Sequence, residues 1–275
     1  MSMLRRHPIW PALPLLALFV VAYLYPLGRM LFDAFTAPGL SDNLNRIMSV
    51  PLYSAVMART FWIALSVAIV TVVVAYPLAA FIAARPRRQR AVLLVLLFVP
   101  LLTSVVVRTY VWVTILRPSG IIDGIASILG LPLPDGALYQ NDAAVTIGMV
   151  HLMIPFAALP LYAGFVRLDP DLRRAAASLG AGKSAQWRRI VLPLTLPTIL
   201  AGSVLVFVTT LGFVVTPRIL GGPQGVMLGV LVGREMLLNN VAFAALLSSA
   251  LLFATLLALV GLRLLVGAFA RRGLV

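Results

Sequence analysis

Arg108, Tyr110 and Trp112 sit inside one long apolar stretch, His151 inside a second, and Thr209, Thr210, Phe213 and Thr216 near the end of a third. Polar groups are expensive in hydrocarbon, so residues of these types either line a path for a polar solute or pair with one another. Each also has a plainer use. Arg108 lies eighteen residues beyond Arg90, about 27 Å along a helix at roughly 1.5 Å per residue. There its guanidinium either faces a solute or snorkels into the far headgroups. His151 is a ligand or a hydrogen-bonded packing residue, and a threonine hydroxyl can bond a carbonyl of its own helix.

The same inventory excludes several chemistries. There is no cysteine, His7 and His151 are the only histidines, and no Asp or Glu lies within an apolar stretch. Neither a metal cluster nor a Ser-His-Asp set is expected, and no cofactor pattern is present. Gly182-Lys183-Ser184 ends like a phosphate-binding loop, but the glycine required five positions earlier is Ala177, and no strand precedes it. The chain reads as a non-enzyme. If ATP is used, another subunit supplies the site.

The elements that carry these residues follow from composition. Of 275 residues 61% are hydrophobic and 11% charged, with a mean hydropathy of +1.04. A soluble domain is nearer half apolar and a quarter charged, so the surplus must be solvated by lipid. Apolar stretches at 9–30, 60–84, 91–116, 144–166, 198–220 and 241–266 are each long enough to cross about 30 Å of hydrocarbon. The expectation is an all-α polytopic membrane protein, a single domain over 1–275 with six transmembrane helices. The start, Met1 to His7 followed by the run from Ile9, resembles a signal peptide but lacks a small-x-small cleavage site, which favours an uncleaved first span.

Fourteen of the 22 basic residues fall at Arg5/Arg6, in the Arg85–Arg90 loop, between Arg167 and Leu196, and at Arg271/Arg272. The alternate segments hold Asp33, Asp42, Asp123, Asp135, Asp142 and Glu235. The positive-inside rule then places both termini in the cytoplasm. The net charge of +14 reports topology, and nucleic acid is not an expected partner. Pro14, Pro26, Pro77, Pro100, Pro155, Pro160 and Pro217 fall within or beside the spans, where lost backbone bonds must be satisfied by neighbours or water. In the last span Ala250, Ala254, Ala258 and Gly261 form a small-residue ridge suited to close packing.

The segment 167–196 carries helix punctuation. Asp169 suits an N-cap, Pro170 the first helical position, Asp171 the positive dipole end, and Gly180 the position beyond the C-terminus. The enclosed helix, 171–179, is too short to be stable alone and needs a docking surface or a lipid surface to lie on. Ser184 suits the cap of a second helix over 185–192, before Pro193 and Pro197.

The loop resembles the EAA motif of binding-protein-dependent ABC importer permeases, which runs Glu-Ala-Ala, three residues, Gly, nine residues, Ile-x-Leu-Pro. Arg174-Ala175-Ala176, Gly180 and Ile190-Val191-Leu192-Pro193 keep that spacing, with Arg174 in place of the glutamate. Thr216-Pro217-Arg218-Ile219-Leu220-Gly221-Gly222-Pro223 is similar to a stretch common in spermidine/putrescine-type permeases. The resemblance implies a six-span permease forming half of a translocation pathway. It pairs with a second homologous permease, two cytoplasmic ATPase subunits and an extracytoplasmic solute-binding protein. It also implies that the short helix is a coupling helix between the fourth and fifth spans, with Asp171, Arg174, Ala175, Ala176, Gly180, Ile190, Leu192 and Pro193 serving the ATPase.

Polyamine is the solute the resemblance implies. The residues point elsewhere, since no acid lies in a span and Arg108 and Arg218 suit an anionic or opine-like amino-acid-derived solute. A secondary transporter remains a third reading, although it needs coupling-ion ligands near the midplane. Retention of an ATPase subunit on purification separates it from an importer.

Overall fold

The apolar stretches become helices because in lipid every backbone polar group must be satisfied within the segment. A computed structural model of the chain describes residues 13–36, 38–130, 138–223 and 225–271. Arg5, Arg6, His7, Asp135 and Arg272 lie outside them. Helix α1 (Leu13–Phe19) continues through a π-turn into α2 (Tyr25–Thr36), and α3 (Leu40–Ser49) is a short amphipathic helix. Next come α4 (Pro51–Ala83), α5 (Arg87–Phe98), α6 (Val105–Leu116), α7 (Ile121–Ile128) and α8 (Asp142–Arg167). The chain ends in α9 (Pro170–Ser178), α10 (Lys183–Gln186), α11 (Leu192–Leu211), α12 (Val215–Leu220), α13 (Leu228–Leu237) and α14 (Val241–Arg271). Among the described residues no strand occurs, and six helical rods are long and apolar enough to cross a bilayer.

Two rods differ from the sequence expectation. The stretch expected to be continuous over 91–116 is divided: α5 passes into a 3-10 turn at Val99–Leu102, Thr103 is extended, and α6 starts afresh. Pro100 lacks the N–H that would continue the α5 hydrogen-bond ladder, although Val99 before it keeps helical backbone. Conversely, the second loop helix is not separate from the fifth span. It starts at Lys183 with Gly182, not Ser184, at its N-cap, and runs through a π-helical stretch at Trp187–Val191 into α11. Pro193 removes one α-helical donor there, and the Leu192 N–H bonds the Trp187 carbonyl five residues back. Pro77, Pro155 and Pro160 lie within continuous helices.

Helices α4, α8 and α11 form the centre, each against the other two. Their contact is made by small side chains. Ala64, Ala68, Thr71, Ala75 and Ala79 lie buried along α4, and Ala144, Ala157, Ala158 and Gly164 along α8. Lipid tails are as apolar as leucine, so close backbone approach and dispersion replace the hydrophobic effect as the driving force. The α14 ridge does not follow the packing expectation. Ala258 and Gly261 line an open apolar groove with α4 and α11, and a Cβ at Gly261 would meet nothing within 4 Å. The tightly buried part of α14 is Phe243, Ala244, Leu247 and Ser249, against α2 and α13.

A second core closes one end of the bundle, where Tyr53, Val56, Leu228, Leu231, Phe243 and Leu247 cluster. Arg46 stacks over Phe243 at 4.4 Å and pairs with Glu235 at 3.7 Å. Glu235 is only 5% exposed and also accepts from Asn240 Nδ2 at 3.1 Å. Arg59 of α4 bonds Asp142 of α8 at 3.2 Å. Two of the acids that mark these segments in sequence, Asp142 and Glu235, therefore tie helices together.

Candidate functional site

Three elements, α6, α8 and α12, converge at Gly148. A Cβ there would fall 2.5 Å from Leu220 Cδ1 and 3.4 Å from Thr216 Cγ2. The missing side chain lets two interhelical hydrogen bonds form. Trp112 donates its Nε1–H to His151 Nδ1 at 3.2 Å, and the hydroxyls of Thr109 and Thr216 lie 3.1 Å apart. An imidazole that accepts at Nδ1 is neutral and carries its proton on Nε2. Beside this wall Arg108 Nε is buried without a hydrogen-bond partner. Next to it opens a cleft of about 580 Å³ lined by Tyr110, Val113, Tyr139, Gln140, Val214, Val215, Arg218 and Ile219.

The structure thus gathers Tyr110, which is 58% exposed, with Arg218 in the cleft, and pairs Trp112 with His151 and Thr216 with Thr109 between neighbouring helices. It does not bring Thr209 and Thr210 there. Thr209 bonds the Leu205 carbonyl at 2.7 Å and Thr210 the Val206 carbonyl at 2.8 Å, so both are satisfied within α11. Phe213 occupies the break between α11 and α12, half-buried against the main core. Thr109, Gly148, Tyr139 and Gln140 join the site without having been singled out in sequence. Thr109 sits next to Arg108, and its spacing from Trp112 puts both on one helical face, the one signal available.

The turn after α12 holds the mouth. Gly222 has φ +61°, and a Cβ on it would lie 2.7 Å from Gln140 Cβ and 2.9 Å from Gln140 O. Left-handed backbone costs a non-glycine residue about 1–2 kcal/mol, and the clash with main chain cannot be relieved by a rotamer. Gly222→Val is therefore expected to lower the melting temperature in detergent by several degrees, at about 2–4 °C per kcal/mol, and to reduce uptake. An unchanged melting curve would remove Gly222 from the architecture of the mouth.

At the opposite end of α8, α9 stands on a rigid joint. The Asp171 N–H bonds Asp169 Oδ1 at 2.9 Å, the N-cap expected from sequence. At the other end Gly180 has φ +79°, and the N–H groups of Gly180 and Ala181 bond the carbonyls of Ala177 and Ala176, each at 3.0 Å, a Schellman motif. Arg174 pairs with Asp171 at 2.8 Å within the helix; both are exposed, so the bond contributes little. Ala175 is exposed, Ala176 half-buried, and Leu172 and Leu179 are 45% and 89% exposed. Ile190, Leu192 and Pro193 are not on this helix but in the rod beyond it, where Val191 turns inward.

The joint is aromatic. Trp187 meets Tyr76 at 5.9 Å and Phe165 at 6.0 Å, and those two rings are 5.0 Å apart, so α4, α8 and the π-stretch share one contact. Tyr76 Oη and Thr195 Oγ1 are 3.0 Å apart, and Gln186 Nε2 bonds the Ala181 carbonyl at 2.8 Å. These contacts join the segment that follows α9 to the spanning helices α4 and α8.

Among the described residues the bundle thus combines six candidate spans, a cleft lined by Tyr110 and Arg218 at one end and an exposed, doubly capped helix at the other. Residues 75–273 match the family described as binding-protein-dependent transport system inner membrane component, and the chain belongs to that family: it is a multi-pass inner-membrane permease subunit of an ABC importer. The spermidine/putrescine transport system permease protein PotB of Escherichia coli (strain K12) is 33% identical over 196 residues, 71% of each chain. The same fold occurs in a bacterial ABC transporter involved in import of the acidic polysaccharide alginate. That structure has a TM-score of 0.67 at 20% identity, covering 94% of this chain and 93% of that one. The alginate transporter in complex with an alginate pentasaccharide-bound periplasmic protein gives 0.69 at 18%, covering 94% and 92%. Membership of this family decides against the secondary-transporter reading.

Proposed function

We propose that the chain forms half of the translocation pathway for a polyamine of the spermidine/putrescine type, with α9 as the coupling helix. The likeness to PotB over 71% of each chain carries the solute. The exposed Leu172 and Leu179 on a capped helix at the end of the aromatic joint support the coupling role. Both termini lie in the cytoplasm in this reading. ATP-driven closure of two cytoplasmic ATPase subunits moves α9 and its counterpart on a second, homologous permease, and the bundles reorient as rigid bodies. An extracytoplasmic binding protein delivers the solute to the Tyr110–Arg218 cleft.

One observation favours an anionic or opine-like amino-acid-derived solute instead. Asp142 and Glu235 are engaged by Arg59 and Arg46, while Arg108 Nε is buried without a partner and Arg218 lines the cleft. In the polyamine reading the second permease supplies the carboxylates. Thermal stabilisation of the cognate binding protein by a panel of polyamines, amino-acid derivatives and inorganic anions separates the two. A ligand at a hundred times its Kd stabilises by about 2.7 kcal/mol, a shift of several degrees. Spermidine or putrescine is expected to give it, and a shift with carboxylates alone overturns the polyamine assignment.

A further inference from the structure

A second cleft, of about 500 Å³, opens at the root of α9, and Phe81, Arg90, Phe165, Arg173 and Trp187 are among its walls. On the other side of Phe81 a groove of about 410 Å³ lies between α4 and α5, with Arg85 and Arg88 at its rim and Val92 and Leu93 in its floor. Phe81 belongs to both cavities, and the Arg85 guanidinium stacks over its ring at 4.1 Å.

Four arginines therefore line two adjoining cavities that share Phe81 as a wall. Among the described residues no carboxylate pairs with Arg85, Arg88, Arg90 or Arg173. Asp169, the acid in the cleft wall, has Oδ1 engaged by the Asp171 N–H. Arg90 Nε bonds the Arg85 carbonyl at 2.5 Å, which fixes the corner between α4 and α5. Below the arginines the surface turns apolar, and Val92, Val95 and Leu96 of α5 are more than half exposed. A free phosphate would match the arginines and leave the floor uncovered, whereas a diacyl lipid matches both. Basic pockets between spanning helices on the cytosolic side are where acidic headgroups bind.

We propose that these two adjoining cavities together hold one anionic glycerophospholipid of the cytosolic leaflet, its phosphate beside Phe81 within reach of Arg85, Arg88, Arg90 and Arg173 and its chains along the α4–α5 groove. The leaflet rests on the topology proposed above; the site itself does not. Because Arg173 belongs to α9 and Asp169 and Pro170 also line the cleft, the lipid touches the root of the coupling helix, and the membrane's acidic lipid content biases how that helix is held.

The test is native mass spectrometry of the purified full-length chain in detergent, titrated with phosphatidylglycerol, with phosphatidylcholine and with glycerol 3-phosphate. One phosphatidylglycerol is expected to bind ahead of further, weaker adducts, with neither of the other two competing. A basic residue near an anionic headgroup contributes about fivefold in affinity, so Arg90→Gln/Arg173→Gln is expected to weaken the first adduct by roughly twentyfold. Arg90→Lys/Arg173→Lys should retain most of it. The charge-matched control Arg87→Gln/Arg188→Gln, at positions lining neither cavity, should bind as the parent does. Equal binding of phosphatidylcholine, competition by glycerol 3-phosphate, or equal losses in the control and the cleft variant would each overturn the site. Thiol labelling of Ser178→Cys from one face of oriented vesicles reports the leaflet separately: labelling from the outer face overturns the topology while leaving the detergent result to judge the lipid site.

Discussion

Gly180→Val is expected to abolish substrate-stimulated ATP hydrolysis by the assembled importer while leaving the chain inserted in the membrane. Gly180 has φ +79°, and a Cβ placed on it meets nothing within 4 Å. The obstacle is therefore the backbone and not crowding within this chain. A residue in that conformation costs about 1–2 kcal/mol, and more if β-branched. Helix α9 has nine residues, a length at which helices are marginal without caps and partners. Losing the Schellman bonds from Gly180 and Ala181 unwinds its last turn and lowers the share of complexes able to transmit the stroke. Asn tolerates left-handed backbone, so Gly180→Asn should keep most of the stimulation, Gly180→Ala less, and Gly180→Val none above basal. If a close approach to the ATPase governed instead, Asn would fail together with Val. Normal stimulation in the Val variant would remove the coupling role from α9.

That such a helix exists was legible in the sequence, because its information is local. Asp169, Pro170 and Gly180 act on backbone groups within a few residues, and all three do in the structure what those residue types do elsewhere. The number of spans was legible for a similar reason, since membrane solvation is a property of composition, but the third runs over Val105–Ile128 and not 91–116. What the sequence did not reveal was how the rods touch. The buried face of α4, Ala64 to Ala79, is no more hydrophobic than its lipid face, so no polarity contrast marks it. The α14 ridge has the spacing of a packing motif and remains half-buried beside an open groove. Of the chemically conspicuous residues, Tyr110 lines the cleft, Trp112 bonds His151 and Thr216 meets Thr109 across helices, and Thr209 and Thr210 turn to their own helix. Hydroxyl donors have two uses of nearly equal worth, and only tertiary position chooses between them. Gly148, which makes the convergence possible, has no side chain to notice.

Gly164→Leu is expected to prevent accumulation of folded protein, and Gly164→Ala to destabilise it by about 1–3 kcal/mol, the usual cost of overpacking. A Cβ at Gly164 would overlap Thr198 Oγ1 and stand 2.9 Å from Thr198 Cγ2 and 3.0 Å from Thr198 Cβ. Rotating Thr198 moves the first two atoms but not the third, which is fixed to α11, so the two helices must separate. Thr198 is further held by its hydroxyl, which bonds the Thr195 carbonyl at 2.7 Å. Thr195 in turn lies 3.0 Å from the hydroxyl of Tyr76 in the joint below α9. Spreading α8 from α11 at this level therefore strains the same contact that carries α9, and stability and coupling should fall together. A double-mutant cycle in thermal unfolding checks the mechanism. Thr198→Ala removes the two rotatable atoms, so Gly164→Ala/Thr198→Ala should be more stable than the sum of the single changes requires, with a coupling of about 0.5–3 kcal/mol. Strict additivity would place the cost of Gly164→Ala in α8 itself and not in its contact with α11.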